Sequence, residues 1–385
     1  MRLADWWRRS HLWLKKPGSQ IRVLSPRSAG AGTRDAASMN SSLPGPAEVC
    51  LAGENPLMIY PISYSIPEEY LVSTIPLKDQ GFASLIPGKR ETYIYGPGDE
   101  QQYHKDYQRS LFAITSRKDG WDCLRHYEIL ANGAVPYFID LEECPLSTLT
   151  FLPKDLLLKA KRLPGVSLGS VDMRCFPISE YMDIADALLV HTRKHLTTKA
   201  MARYVLQVTG HANARSALFV TGKTIVGETS ASHSCNYLRE TIFHGMRSIL
   251  GSGLVEIPKL TFMYQLPSGA DVIAERSKLY GYGFSYALRL EDDVGPSREH
   301  IEDRIREREF DLVIYGCFAY DTRQGKEWPL PPPYWALVTK YYPPSCIIML
   351  HGGDRKPFDE RLNRRVENAL REYAPQCQFF LRECY

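Results

Sequence analysis

The sequence predicts an α/β protein built from two Rossmann-like units. Strand-like and helix-like stretches alternate along most of a 385-residue chain, which has room for two domains of ordinary size. From Ala217 onward, short apolar runs at 217–221, 254–257, 312–316, 347–350 and 378–381 are separated by helical stretches, the pattern of a doubly wound parallel sheet. A separate β–loop–α–β unit lies near residue 120. A composition of 44% hydrophobic and 24% charged residues is that of a soluble globular protein.

The N-terminal stretch differs from the rest. The first 40 residues hold eight Lys or Arg and two Asp, a charge of +6, which leaves −3 for the remainder of a chain whose total is +3. The basic excess is therefore confined to this stretch, and no nucleic-acid footprint remains in the body. Residues 1–54 are expected to be a disordered basic leader. Their Arg, Ser, Ala and Gly content suits an organelle transit peptide, and Trp6–Trp7 with Arg8 and Arg9 suits a membrane surface. Met39 is an alternative start. No run of about 18 apolar residues occurs, so no transmembrane segment is expected. Nine cysteines without a C-x-x-C pair or metal-ligand spacing imply free thiols in a reducing compartment, and hence a cytoplasmic location unless the leader directs the chain to an organelle.

From 55 to 97 the text is punctuated by Pro and Gly, with strands expected at Leu57–Tyr60 and Glu91–Tyr95. A helix over Gln101–Arg109 places Tyr103 and Tyr107 on one face, suited to the core or to stacking on a base or sugar. Strand Leu111–Thr115 follows, then a loop that Asp122 closes as a helix cap. Leu124, Tyr127, Leu130 and Ala131 form the apolar face of the next helix, and Arg125, Glu128 and Asn132 share another. Gly133 suits a left-handed C-terminal cap before strand Ala134–Ile139. A helix N-terminus at the carboxyl end of a parallel strand suits a phosphate, with Lys118 adding charge. Glu128 is placed to accept from sugar hydroxyls. Spacing alone favours a simple surface pair of Arg125 and Glu128, worth a few tenths of a kcal/mol.

The string WDCLRHYEILANGAVPYF resembles the donor-binding segment of exostosin-like glycosyltransferases, in which an aromatic and acidic loop precedes R-x-x-E, a small-residue turn and an apolar strand with Pro. With its flanks PLKDQGFASLIPG, YHKDYQRSLFAITSRK and CPLSTLTFLPKDLL, it is still more similar to a set of uncharacterised glycosyltransferase-like proteins. The resemblance covers about Pro56 to Gly210, and the rest more loosely. It implies a GT-B-like arrangement of two Rossmann-like domains facing across a cleft, with the donor-type half first, the reverse of the usual order. The implied boundaries are 55–175 for the donor-binding domain, 176–210 for bracing helices and 211–385 for the second domain.

In the same way the resemblance implies transfer of a sugar from a nucleotide-sugar donor to a glycan or other hydroxyl acceptor, with no metal and no cofactor. Its donor-binding residues fall on Lys118, Trp121, Asp122, Arg125, His126 and Glu128, with Tyr103 and Tyr107 beside them. A base is needed for the acceptor proton. Candidates at or near the carboxyl ends of the second set of strands are Asp354 and His351 of the HGGD turn, Glu228 and, on a helix, His244; Arg382 and Glu383 also fall at a strand end. The alternative is a catalytically silent nucleotide- or sugar-binding scaffold of the same fold.

Between the two units, helices are expected over Pro153–Leu163 and over Ser179–Leu206, the latter broken where Thr197 or Thr198 caps a second helix. Further helices are expected over Tyr237–Leu250, Ser297–Glu309, Tyr334–Tyr341 and Asp359–Tyr373.

Overall fold

The computed structural model describes residues 22–24, 44, 46–50, 57–221, 236–291, 297–316, 331–354 and 360–383. Its strands are β1 (Arg22–Leu24), β2 (Ala47–Cys50), β3 (Leu57–Pro61), β4 (Gln80–Phe82), β5 (Ser110–Thr115), β6 (Val135–Phe138), β7 (Val166–Ser167), β8 (Ser170–Val171), β9 (Ala217–Val220), β10 (Leu254–Ile257), β11 (Leu312–Tyr315), β12 (Ile347–His351) and β13 (Gln378–Leu381). The helices are α1 (Glu100–Arg109), α2 (Leu124–Ala131), α3 (Lys154–Lys161), α4 (Ile178–His191), α5 (Thr198–Val208), α6 (Tyr237–Leu250), α7 (Val272–Ser277), α8 (Ile301–Arg306), α9 (Trp335–Tyr341) and α10 (Glu360–Tyr373). No helix of the described residues is long and apolar enough to cross a membrane.

The strands form an eight-stranded sheet in the order β1-β2-β3-β13-β12-β11-β9-β10, and a separate sheet β4-β5-β6. Six strands of the large sheet, from β3 to β10 in that order, are parallel, and β1 and β2 are antiparallel additions at the β3 edge. All three strands of the small sheet are parallel. The α/β expectation and its Rossmann-like elements are therefore present.

Period-two alternation assigns the faces of the large sheet. Leu218, Val313, Met349 and Phe379 point into a cluster closed by Ile305, Trp335, Val338, Leu370 and Tyr373 from α8, α9 and α10. Phe219, Ile314, Leu350 and Phe380 point the other way, into a cluster that includes Ile242 and Met246 of α6, Tyr204 and Val205 of α5, and Phe112 and Phe138 of the small sheet. With helices on both faces, the strands are continuous apolar runs. One buried cluster thus runs from the small sheet through α5 and α6 to the large sheet. The α5–α6 contact is close: a Cβ built on Gly245 would lie 2.0 Å from the Thr198 carbonyl oxygen.

Several elements differ from expectation. Leu57–Tyr60, expected in the first domain, lies in the large sheet as β3, with Tyr60 opposite Phe380 of β13. The first half of the chain therefore crosses from the large sheet to the small one and returns through α4 and α5. Glu91–Tyr95 is not a strand: Arg90–Thr92 forms a 3-10 turn, fastened where the Thr92 hydroxyl accepts from the Ile86 N–H at 3.0 Å. The helix expected from Ser297 begins at Ile301, after His300 in left-handed backbone. Thr197 caps α5 as expected, accepting from the Ala200 N–H at 3.1 Å. A π-helical turn, Thr192–Leu196, joins α4 to that cap.

Candidate functional site

The site begins at the carboxyl end of β5, where residues 116–123 lead into α2. Gly133 ends α2 at φ +70°, as the sequence predicts. Asp122 does not cap the helix. Its carboxylate turns back to the chain leaving β3, accepting from the Tyr64 N–H and the Tyr127 hydroxyl, both at 2.8 Å. Cys123 occupies the N-cap position without a side-chain cap. Asp122 is buried, and burial raises its pKa above the usual carboxylate value although Arg382 opposes the shift.

With Asp122, six of the predicted donor residues are internal. Trp121 is buried. His126 is fully buried, paired through Nε2 with the Thr115 hydroxyl at 3.0 Å and packed 4.6 Å from the Phe138 ring. Burial first, then Arg125 and Arg382, lowers its pKa to about 3, so the ring is neutral and fastens helix to strand. Tyr103 and Tyr107 are core residues rather than stacking platforms, with Tyr107 donating to the Tyr103 hydroxyl at 3.0 Å. Tyr103 in turn donates to Glu128 Oε2 at 2.5 Å, and Ser285 donates to Oε1 at 2.6 Å. Glu128 is 5% exposed with both oxygens engaged, so it is not a free acceptor for sugar hydroxyls.

The cations behave differently. Lys118 is exposed and reaches the Tyr93 hydroxyl at 3.3 Å. Arg117 lies with its guanidinium 5.5 Å from the Trp121 ring centroid, and its buried Nε has no hydrogen-bond partner. The buried Nε of Arg125 also has none, and the expected Arg125–Glu128 pair does not form. Among the described residues none of these three cations makes an ion pair. Three cations without a close ion-pair partner thus gather near the end of a parallel strand, with Glu128 acting on Arg125 and Asp140 on Arg117 at longer range, a setting that suits an anion.

The large sheet meets this loop at the carboxyl end of β13. Arg382, at the end of β13, is 2% exposed and lies 4.4 Å from the Tyr64 ring centroid. It donates through Nε to the Gly352 carbonyl at 3.0 Å and through Nη1 to the Asp122 carbonyl at 3.0 Å and Glu383 at 2.9 Å. Through Nη2 it donates to Asp354. Glu383 also accepts the Asp122 N–H at 3.0 Å, and burial pushes its pKa up to about 7 against the opposing pull of Arg382. A Cβ on Gly120 would lie 2.7 Å from both Asp354 Oδ1 and Glu383 Oε1, so glycine lets the loop sit against these carboxylates. The Asp354 side chain is 45% exposed, leaving its second oxygen accessible beside the loop.

The other base candidates do not share this place. His351 is 1% exposed, its ring stacked on Phe379 at 6.2 Å. His244 lines a separate pocket on α6. Glu228 lies outside the described residues, as do 222–233 and 317–320 as a whole. The large sheet reverses strand order between β9 and β11, and these segments follow those two strands. Arg117, Gly120 and Tyr93 escaped the sequence reading as site residues. The Arg117–Lys118 pair after β5 was a usable signal. Among the described residues no group of three or more His, Cys, Asp or Glu is placed to hold a metal ion.

No protein-family model, no curated protein and no solved structure matches this chain.

Proposed function

We propose that this chain transfers a sugar from a nucleotide-sugar donor to a hydroxyl acceptor. The observation that carries the proposal is the apposition of Asp354 to Gly120, in a loop whose cations Arg117 and Lys118, with Arg125 in the first turn of α2, make no ion pair among the described residues. Glycosyl transfer requires positive charge on the leaving diphosphate and a base for the acceptor proton. On this reading Lys118 and Arg125, with Arg117, hold the diphosphate, and Asp354 takes the proton through the oxygen that Arg382 leaves accessible. Glu128 becomes a positioning residue that ties Ser285 to α2. The small sheet is read as the donor-type half and the large sheet as the second half of a GT-B-like pair, with their cleft at this contact. No metal or cofactor is assigned, and a cytoplasmic location is proposed.

The occupied oxygens of Glu128 favour a second reading, a nucleotide-binding scaffold without turnover. Donor hydrolysis separates the two, because an active transferase leaks sugar slowly to water. Incubation with a panel of nucleotide sugars is expected to release nucleoside diphosphate from one of them. Asp354→Asn, which keeps an acceptor for Arg382, is expected to slow that release by about a hundredfold or more. Diphosphate binding without release from any donor would favour the scaffold.

A further inference from the structure

An open pocket of about 590 Å³ lies between α6, the 3-10 turn Glu68–Tyr70 and the ends of the segment 264–291. Glu69, His244, Arg247, Gln265, Arg289 and Glu291 supply its polar lining, with Leu288 and Leu290 behind them. Its volume is within the range of small-molecule sites, roughly 300–1,000 Å³. None of these residues belongs to the β5–α2 loop or to its contact with Arg382 and Asp354.

The charges of the pocket are internally balanced. Arg247 is engaged by the fully buried Glu256 at 2.6 Å, and Arg289 by Glu100 at 2.7 Å. Glu256 is shared with Arg298 and Glu100 with Arg276, so the two guanidiniums are fixed in place, each cluster keeps one positive charge in excess, and Glu69 and Glu291 offset that excess on the open side. On the open side, Glu69 stands 3.8 Å from His244 Nε2, too far for a hydrogen bond, while His244 Nδ1 is held by the Thr198 hydroxyl at 2.8 Å. Glu69, Gln265 and Glu291 are exposed, and no hydrogen bond from their side chains occurs among the described residues. The pocket therefore offers free carboxylate acceptors, an amide and fixed N–H donors around a small apolar backing.

A phosphate would meet Glu69 and Glu291 with repulsion, and an apolar ligand would bury charges without partners. A ligand whose hydroxyls both donate and accept satisfies every group in the lining. We infer that this pocket binds a neutral saccharide of one or two units, without need of a nucleotide. The inference stands on the pocket alone and does not require transfer chemistry at the β5–α2 loop.

The test is saturation-transfer NMR on the full chain with a panel of neutral mono- and disaccharides and no nucleotide present. At least one saccharide is expected to bind. Glu69→Gln and Gln265→Ala, both at exposed positions where folding is undisturbed, are each expected to weaken it by about tenfold. Arg125→Ala is expected to leave it unchanged. Absence of binding by every saccharide, or binding unaffected by both pocket substitutions, would overturn the inference. So would displacement by inorganic phosphate, or loss of binding in Arg125→Ala alone, which would place the sugar at the cationic loop.

Discussion

The Arg382 guanidinium donates to the backbone carbonyl of Asp122 at 3.0 Å, joining residues 260 positions apart in the chain. The same side chain holds Asp354 and Glu383, so one buried cation connects the carboxyl ends of both parallel sheets. Removing such a partner leaves buried acceptors and carboxylates uncompensated, which costs about 3–5 kcal/mol. Arg382→Met is expected to lower stability by that amount in urea denaturation. Arg382→Lys, which retains the charge but lacks the forked donors, is expected to fall between it and the wild type. A loss below about 1 kcal/mol for Arg382→Met would show that the contact is not structural.

Glu383 should make stability depend on pH. Its folded pKa, about 7, stands above the ordinary carboxylate value of 4.5. The folded state therefore binds more protons between those values, so this group's contribution is full below about pH 4.5 and is lost as pH rises through about 7. The buried imidazole of His126 acts in the opposite sense, its lowered pKa removing stability as pH falls below the ordinary histidine value. Comparison with Glu383→Gln isolates the carboxyl. The stability of the wild type relative to the variant is expected to decline by up to about 3 kcal/mol between pH 4.5 and 8. A constant difference across that range would contradict the raised pKa.

Ser285 and Glu128 form a buried pair across 157 residues of sequence. Ser285→Ala removes one of the two donors to a buried carboxylate and is expected to cost about 1–3 kcal/mol of stability. The measurement is thermal or chemical unfolding, paired with nucleotide affinity. A loss of affinity without loss of stability would return Glu128 to the binding site.

Gly245→Ala tests the α5–α6 contact, where the added methyl would lie 2.0 Å from the Thr198 carbonyl oxygen. Because backbone rather than a flexible side chain is met, the expected loss is about 1–3 kcal/mol or more. Stability equal to the wild type would mean that the helices separate at little cost.

The parts of the fold legible in the sequence are those set by local pattern. The β5–loop–α2–β6 unit follows from its apolar spacing and from Gly133, and the α5 cap follows from Thr197. The strands of the large sheet after Ala217 are legible because burial on both faces makes them continuous apolar runs. Non-local pairings were not legible. Nothing in LMIYP states that β3 lies beside β13, and nothing near Glu128 points to Ser285. Asp122 has the residue type of a helix cap, but a distant N–H at Tyr64 and the Tyr127 hydroxyl hold its carboxylate instead. The run ETYIY alternates like a strand, yet the Thr92 hydroxyl bonds locally with Ile86 and closes a turn. At the candidate site, the cationic junction of loop and helix is readable from Lys118 and Arg125, whereas its contact with Arg382 and Asp354 requires the tertiary structure.

The central claim is that the β5–α2 loop binds a diphosphate, and calorimetric titration tests it most directly. Wild type, Lys118→Ala and Arg125→Ala are each titrated with a nucleoside and with its diphosphate, the base being chosen from a thermal-shift screen. The wild type is expected to bind the diphosphate more tightly than the nucleoside. Each variant is expected to weaken the diphosphate by about tenfold, equivalent to about 1.4 kcal/mol, while leaving the nucleoside unchanged. No diphosphate binding by the wild type, or equal diphosphate affinity in both folded variants, would contradict the assignment.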